Sequence, residues 1–386
     1  MDSPDSPDPA LPDRTPSDLA LASAPLAWQG NTDVSPGPVI LTRTLTYRNF
    51  AGFPFIASAP PTVCARIAEK ALARIAAGSG GDTVRRLADC PARVIRMLRE
   101  RELLPQRAVV FPGKKDFKYL AAAASGAHWT LVNEVEHMTF GSVRRGLPDP
   151  ETLPAAHPSL ELDGDAAPWS RSQRYGFLAS DPSRIGPGVG VEALLHLPAL
   201  ALSRQLPHAR NYLAACGVAW LPHSHPLPAP SAPAGPARDR SASVADAALF
   251  RLRTRGGLGS DFREVHRAFA LSLQPVLRLE RETRERCAQH YRKRLEERLG
   301  LSFRVLSEAT TLTYAEMSGA ASLVRMGACL GLRDPQIAGI LEELLVIASS
   351  GHLAVTSGRD LAKEEEDFAR ANVVRLSLLN HSGEVG

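Results

Sequence analysis

A chain of 386 residues, 44% hydrophobic and 22% charged, is long enough for two domains with a sizeable core and has the make-up of an ordinary soluble protein. Its net charge of +4 is small for this length and no basic block carries interleaved aromatics, which argues against nucleic acid as a partner. Five scattered cysteines without C-x-x-C spacing argue against a zinc ribbon. There is no apolar run of about 18 residues to suggest a membrane span, and the acidic, Pro-rich start is unlike a signal peptide, so a cytoplasmic protein is expected.

Residues 1–24 are rich in Pro, Asp and Ser and are expected to form a disordered tail, with order beginning near Trp28. Residues 39–50 are β-branched and alternating, which suits a strand. Val63, Ile67, Ala71, Leu72 and Ile75 form one helical stripe, and Val94, Met97, Leu98 and Leu103 another. Residues 107–112 and 128–140 read as strands. From Trp169 to Leu200 a short aromatic strand at 175–179 leads through Asp181-Pro182 into a loop with Gly186, Gly188 and Gly190, then into an apolar run. Such a loop lets the backbone pass close to something without a Cβ in the way. Residues 203–220 suggest a helix followed by a strand, and 221–247 a Pro-rich linker. His223 and His225 within it have no neighbouring ligand and suggest no metal site. A strand at 248–253 and a glycine-rich turn at 254–259 precede long helices from Asp261 onward, the first containing Pro275.

The order Y-G-x-L-x-x-x-P-x-x-x-G-x-G followed by H-L-P-A-L, spanning 175–200, resembles the central motif of ATP:guanido phosphotransferases. E-R-x-x-R-E at 280–285 and L-V-R-M-G-A-C-L-G-L at 323–332 resemble the helical C-terminal domain of bacterial protein-arginine kinases (McsB-type), which animal phosphagen kinases lack at that end. The resemblance covers about residues 25–375. It implies an α/β (α+β) architecture: an antiparallel sheet flanked by helices over 25–260, then an all-helical domain over 261–380.

It also assigns site residues. L-T-R-T-L-T-Y-R-N resembles the family's S-S-R-x-R-x-x-R-N, whose arginines reach nucleotide phosphates; Arg43 and Arg48 hold two of those positions and Leu45 the third. N-E-V-E-H at 133–137 resembles N-E-E-D-H-x-R. Glu134 is the catalytic candidate, while Val135 replaces the carboxylate that orients the guanidinium and Thr139 an arginine that grips phosphate. Gly188 and Gly190 are cofactor-loop candidates, but the family's loop arginine falls on Gly190 and its reactive cysteine on Asp181. His196 reads as packing. A receptor for phosphoarginine built on R-D-x-x-R-A corresponds to Glu366-Asp367-Phe368-Ala369-Arg370-Ala371.

Two readings follow. One is a catalytically degenerate pseudokinase that binds or regulates. The other is an active kinase using ATP with Mg, in which arginines such as Arg144, Arg145, Arg171, Arg184, Arg253 and Arg255 have taken over. A protein partner is expected, with a homodimer through the small residues Gly319, Ala320, Gly327, Ala328 and Gly331 as one form of it.

Overall fold

The computed structural model describes residues 18–29, 37–78, 82–105, 117–123, 125–149, 168–222, 247–254 and 261–383. The strand expected at 107–112, residues 223–246 of the Pro-rich segment, and Arg255 with the glycine turn around it lie outside them.

An eight-stranded antiparallel sheet forms the centre, in the order β2-β3-β4-β5-β1-β8-β10-β9. Its strands are β1 (Val39–Arg48), β2 (Thr83–Arg86), β3 (Tyr119–Ala122), β4 (His128–Val132), β5 (Met138–Arg145), β8 (Val189–His196), β9 (Val218–Pro222) and β10 (Leu249–Thr254). A small ribbon, β6 (Arg171–Ser172) with β7 (Gly176–Phe177), stands apart from it. β1 lies in the middle and every one of its residues is buried, because both faces of the sheet are covered there.

The covering helices follow from their apolar stripes. α2 (Pro61–Gly78) sets Ile67, Ala68, Ala71, Leu72 and Ile75 against Phe50, Tyr119, Phe140 and Trp169 on one face. α3 (Ala92–Glu100) sets Val94, Met97 and Leu98 against Leu45, Tyr47, Trp129 and Leu131 on the other. The far half of the sheet is covered by α4 (Pro198–Leu202), α5 (Leu206–Ala215) and α6 (Phe262–His290), through a core that includes Leu195, Leu200, Leu213, Phe269 and Val276. α6 starts at an Asp261/Glu264 capping box and runs through Pro275 without a break. It is therefore the first long helix in sequence but part of the sheet's own layers.

Two expectations are corrected. Residues 128–140 form a hairpin rather than one strand. Asn133 takes φ 57°, a left-handed conformation that Asn tolerates, and its N–H donates to the His137 carbonyl at 3.1 Å. The second concerns the N-terminal stretch, where Asp18–Ser23 is a helix, α1. Ala22 and Leu21 pack on the α3 core, Asp18 pairs with Arg85, and Arg101 donates to the carbonyls of Ala22, Ala24 and Pro25. A few apolar atoms and backbone acceptors were enough to order it once a buried arginine required them.

The C-terminal helices are α7 (Arg292–Glu308), α8 (Tyr314–Cys329), α9 (Ile337–Ile347), α10 (Ser350–Thr356) and α11 (Lys363–Gly383). Most of them share a core of Leu306, Met317, Val324, Leu341, Leu344 and Val374. Of the small-residue stripe, Ala328 is in that core, and a Cβ on Gly327 would meet Leu299 at 2.8 Å, so these positions pack within the chain. No single described helix is long and apolar enough to cross a membrane.

α10 turns back to the sheet lobe. Gly351 touches α3 so closely that a Cβ would lie 2.5 Å from the Met97 nitrogen, and the Glu100 carboxylate accepts the N–H groups of Gly351 and His352. His352 Nε2–H donates to the Ala22 carbonyl at 2.8 Å, and burial lowers its pKa to about 4. A histidine held neutral in the fold loses stability as pH falls from 6.5 towards 4. Compared with His352→Gln, the wild type is expected to gain roughly 1.5 kcal/mol between pH 5 and 6.5. Urea midpoints at the two pH values check this; parallel curves would refute it.

Candidate functional site

On the sheet face that carries α3, period-2 alternation lines up side chains from neighbouring strands. Arg43 of β1 pairs with Glu192 of β8, and Glu192 pairs with Arg253 of β10. The cross-strand row thus reads plus, minus, plus, the favourable pattern for directly opposed residues. Arg43 is only 3% exposed; its guanidinium contacts Glu192 Oε2 at 3.0 Å and Glu102 Oε2 at 3.2 Å. Arg251 reaches the same two carboxylates. Glu102 follows α3 at φ 63°, a strained conformation for a side-chain-bearing residue, and its carbonyl also accepts from Arg43 at 3.3 Å. Burial alone would raise the Glu192 carboxyl, but the Arg43, Arg253 and Arg251 guanidiniums outweigh it and hold the group at about 2.

One row along, Leu45 lies between Gly141 and Gly190. Both glycines leave room that aromatic rings fill. A Cβ on Gly141 would lie inside the Trp129 indole, and one on Gly190 would sit 3.2 Å from the Tyr47 hydroxyl. An arginine side chain at Gly190 would have to displace Tyr47, which is buried.

The glycine loop and Arg48 form a closed arrangement. Arg48 Nη1 donates to the carbonyl of Tyr47 at 2.8 Å and to those of Pro187 and Gly188 at 3.4 Å, with its guanidinium over the Phe177 ring at 3.5 Å. Gly188 has φ 60°, and a Cβ there would lie 2.7 Å from Arg48 Nη1, so only glycine lets the loop approach this closely.

The β4–β5 turn places its acids differently from one another. Glu134 is half-buried, and burial raises its pKa while Lys118 and Arg184 pull it down. Glu136 is fully buried and accepts from Asn49 Nδ2 at 2.7 Å, from Ser180 N and Oγ, and from Arg184. Arg184 also faces Asp181 at 3.6 Å and lies over the Tyr47 ring. The Phe50 N–H donates to His137 Nδ1, so Nε2 carries the proton and donates to the Pro54 carbonyl at 2.9 Å. Burial lowers its pKa, keeping it neutral. Its role is to hold the turn.

His196 is likewise internal. Arg325 donates to its Nδ1 at 2.7 Å, leaving Nε2–H for Ser322 at 2.9 Å, and Arg284 donates to its carbonyl. Arg284 pairs with Glu280, which caps the first N–H groups of α4 at Ala199 and Leu200; Arg325 pairs with Glu342. This buried network joins the sheet to the helical region. In α11, Arg370 pairs with both Glu366 and Asp367 and donates to the carbonyls of Ala348 and Leu312, so its donors are already engaged. Titration with phosphoarginine is therefore expected to give no measurable affinity. A clear calorimetric isotherm would show a rebuilt site.

Residues 65–220 match the family described as ATP:guanido phosphotransferase, C-terminal catalytic domain, and residues 292–385 match the protein-arginine kinase McsB C-terminal domain. The chain thus carries an ATP:guanido phosphotransferase catalytic-domain match followed by a protein-arginine kinase C-terminal-domain match. Among its relatives, the protein-arginine kinase of Exiguobacterium sp. is 27% identical over 250 residues, covering 64% of this chain and 67% of its own. That of Shouchella clausii is 25% identical over 248 residues, covering 64% and 65%. That of Syntrophomonas wolfei is 24% identical over 294 residues, covering 74% and 76%. The chain thus spans about two thirds of the first two. A duplicated taurocyamine kinase from Schistosoma mansoni, with bound transition state analog components, has the same fold: TM-score 0.50 at 17% identity, over 72% of this chain and 37% of that one.

The family uses ATP as phosphate donor. Leu45, Thr139 and Gly190 offer no cation, and Arg43 is held between two carboxylates. Among the described residues no group of three His, Cys, Asp or Glu side chains is placed to hold a metal ion. Glu102, Glu192 and Arg251 were not singled out from the sequence. Glu192 left one signal: a lone acid inside an apolar run.

Proposed function

We propose that this chain is a catalytically silent relative of the protein-arginine kinases, retained for binding or regulation rather than turnover. The observation that carries the reading is the state of Arg43. A phosphate-binding cation must be free to meet a dianion, and this one is buried between Glu102 and Glu192. Phosphoryl transfer depends on positioning and on cations around the phosphate, each arginine contributing on the order of 10³-fold. Leu45, Thr139 and Gly190 lack that charge, and Val135 cannot orient a guanidinium. Of the arginines that could compensate, Arg184 is engaged by Glu136 and Asp181, Arg253 by Glu192 and Arg145 by Glu342.

The test is a radiolabelled ATP assay with arginine, casein and the protein itself, at neutral and alkaline pH. No acid-labile label above a no-enzyme control is expected, for the wild type or for Val135→Glu, because one restored carboxylate leaves the phosphate unheld. Label incorporated by the wild type would overturn the reading.

A further inference from the structure

We infer that Glu192 is a built-in anion: its carboxylate takes the place of a small oxyanion among Arg43, Arg251 and Arg253, and so closes this face of the sheet to external carboxylate or phosphate groups. The inference rests on the silent-enzyme reading for its functional meaning, but its geometry stands by itself. Three guanidiniums converge on this point of the sheet from two strands, and among the described residues Glu192 alone forms ion pairs with all three. Glu102 supplies the second carboxylate, to Arg43 and Arg251. Three positive charges against two negative leave the cluster one positive in excess.

The cluster is also rich in donors. Arg43 Nε and Arg251 Nε and Nη1 are buried without a hydrogen-bond acceptor among the described residues, and Arg253, at 36% side-chain exposure, connects the cluster to solvent. Two carboxylates cannot satisfy three forked guanidiniums, each of which presents five N–H donors. Removing one carboxylate leaves a buried, strongly cationic concavity with planar donors aimed into it, the arrangement that recognises carboxylate and phosphate. The neighbouring glycines and aromatics determine its size. Tyr47 and Trp129 wall it on the Leu45 side, so the vacated space suits a group of formate or phosphate size rather than a whole nucleotide.

The experiment compares wild type, Glu192→Ala and the double variant Glu192→Ala/Arg43→Leu by thermal melting. Each is measured in tens of millimolar formate, inorganic phosphate, or sodium chloride at matched ionic strength. Glu192→Ala is expected to melt lowest in chloride and to rise by about 2 °C or more in formate or phosphate, since a ligand bound only by the folded state raises the midpoint. The wild type and the double variant are expected to show no such response. The double variant should also melt above the single one, because it restores the wild-type charge balance of the cluster. If Glu192→Ala is recovered only as aggregate, refolding yield with and without formate gives the same comparison, and yields unaffected by formate overturn the inference. A folded Glu192→Ala that responds no more than the wild type, or a double variant no more stable than the single, also overturns it. Stabilisation of the wild type by ATP would count against the silent-enzyme reading instead, whatever the variant does.

Discussion

Replacing Glu280 by alanine is expected to cost about 3–5 kcal/mol of stability, the usual penalty for stranding one partner of a buried ion pair. Glu280 is 0% exposed, and each of its oxygens caps a backbone N–H of α4. Its Oε1 also accepts from Arg284 Nε at 2.6 Å. Truncation leaves Arg284 charged beside Arg325 and His196, whose pKa is already lowered far below the usual range by burial and these two guanidiniums, so the imidazole cannot compensate. It also leaves two helix N–H groups without acceptors. The measurement is the urea midpoint at an unchanged slope. Adding Arg284→Met to the Glu280→Ala variant should recover part of the loss, because an apolar group replaces the stranded charge. A loss below about 1 kcal/mol in the single variant would mean that water reaches this interface. Since the network joins H-L-P-A-L to α6 and α8, the variant should loosen the sheet and the helical region together.

Gly141→Ala is expected to be nearly as damaging, at about 3 kcal/mol, for a steric reason. Its Cβ would lie inside the Trp129 ring, which is fully buried. β5 cannot retreat, because it is held by β4 on one side and β1 on the other. The ring cannot rotate away without displacing the Arg43 guanidinium that lies over it at 5.8 Å. Shrinking the ring should therefore rescue the variant: Gly141→Ala with Trp129→Leu is expected to recover a substantial part of the loss. Denaturation of the three proteins measures it. If the single variant unfolds at the wild-type midpoint, Trp129 is not packed against β5 as described.

These two sites differ in how far the sequence foretold them. Several strands, the helical C-terminal region and the family were legible along the chain, because alternation of period 2, stripes of period 3.6 and the ordered motif of 175–200 are local properties. The missing cations at Leu45, Thr139 and Gly190 were legible for the same reason: a residue type is either present or absent at a motif position. What the sequence could not convey was the fate of the residues that remain. Arg43 is present, yet it is buried against Glu102 and against Glu192, which lies 149 positions further along. Alternation tells which face a side chain takes, but not which strands become neighbours or in what register, and it is register that sets Glu192 between Arg43 and Arg253. Likewise Arg48 reads as a phosphate-reaching strand arginine and Gly188 as part of a ligand loop, while Arg48 donates to the carbonyls of Tyr47, Pro187 and Gly188 and lies over the Phe177 ring. Whether an arginine is free to meet a phosphate is a property of its neighbours in space, and packing eight strands into one sheet is what chose them.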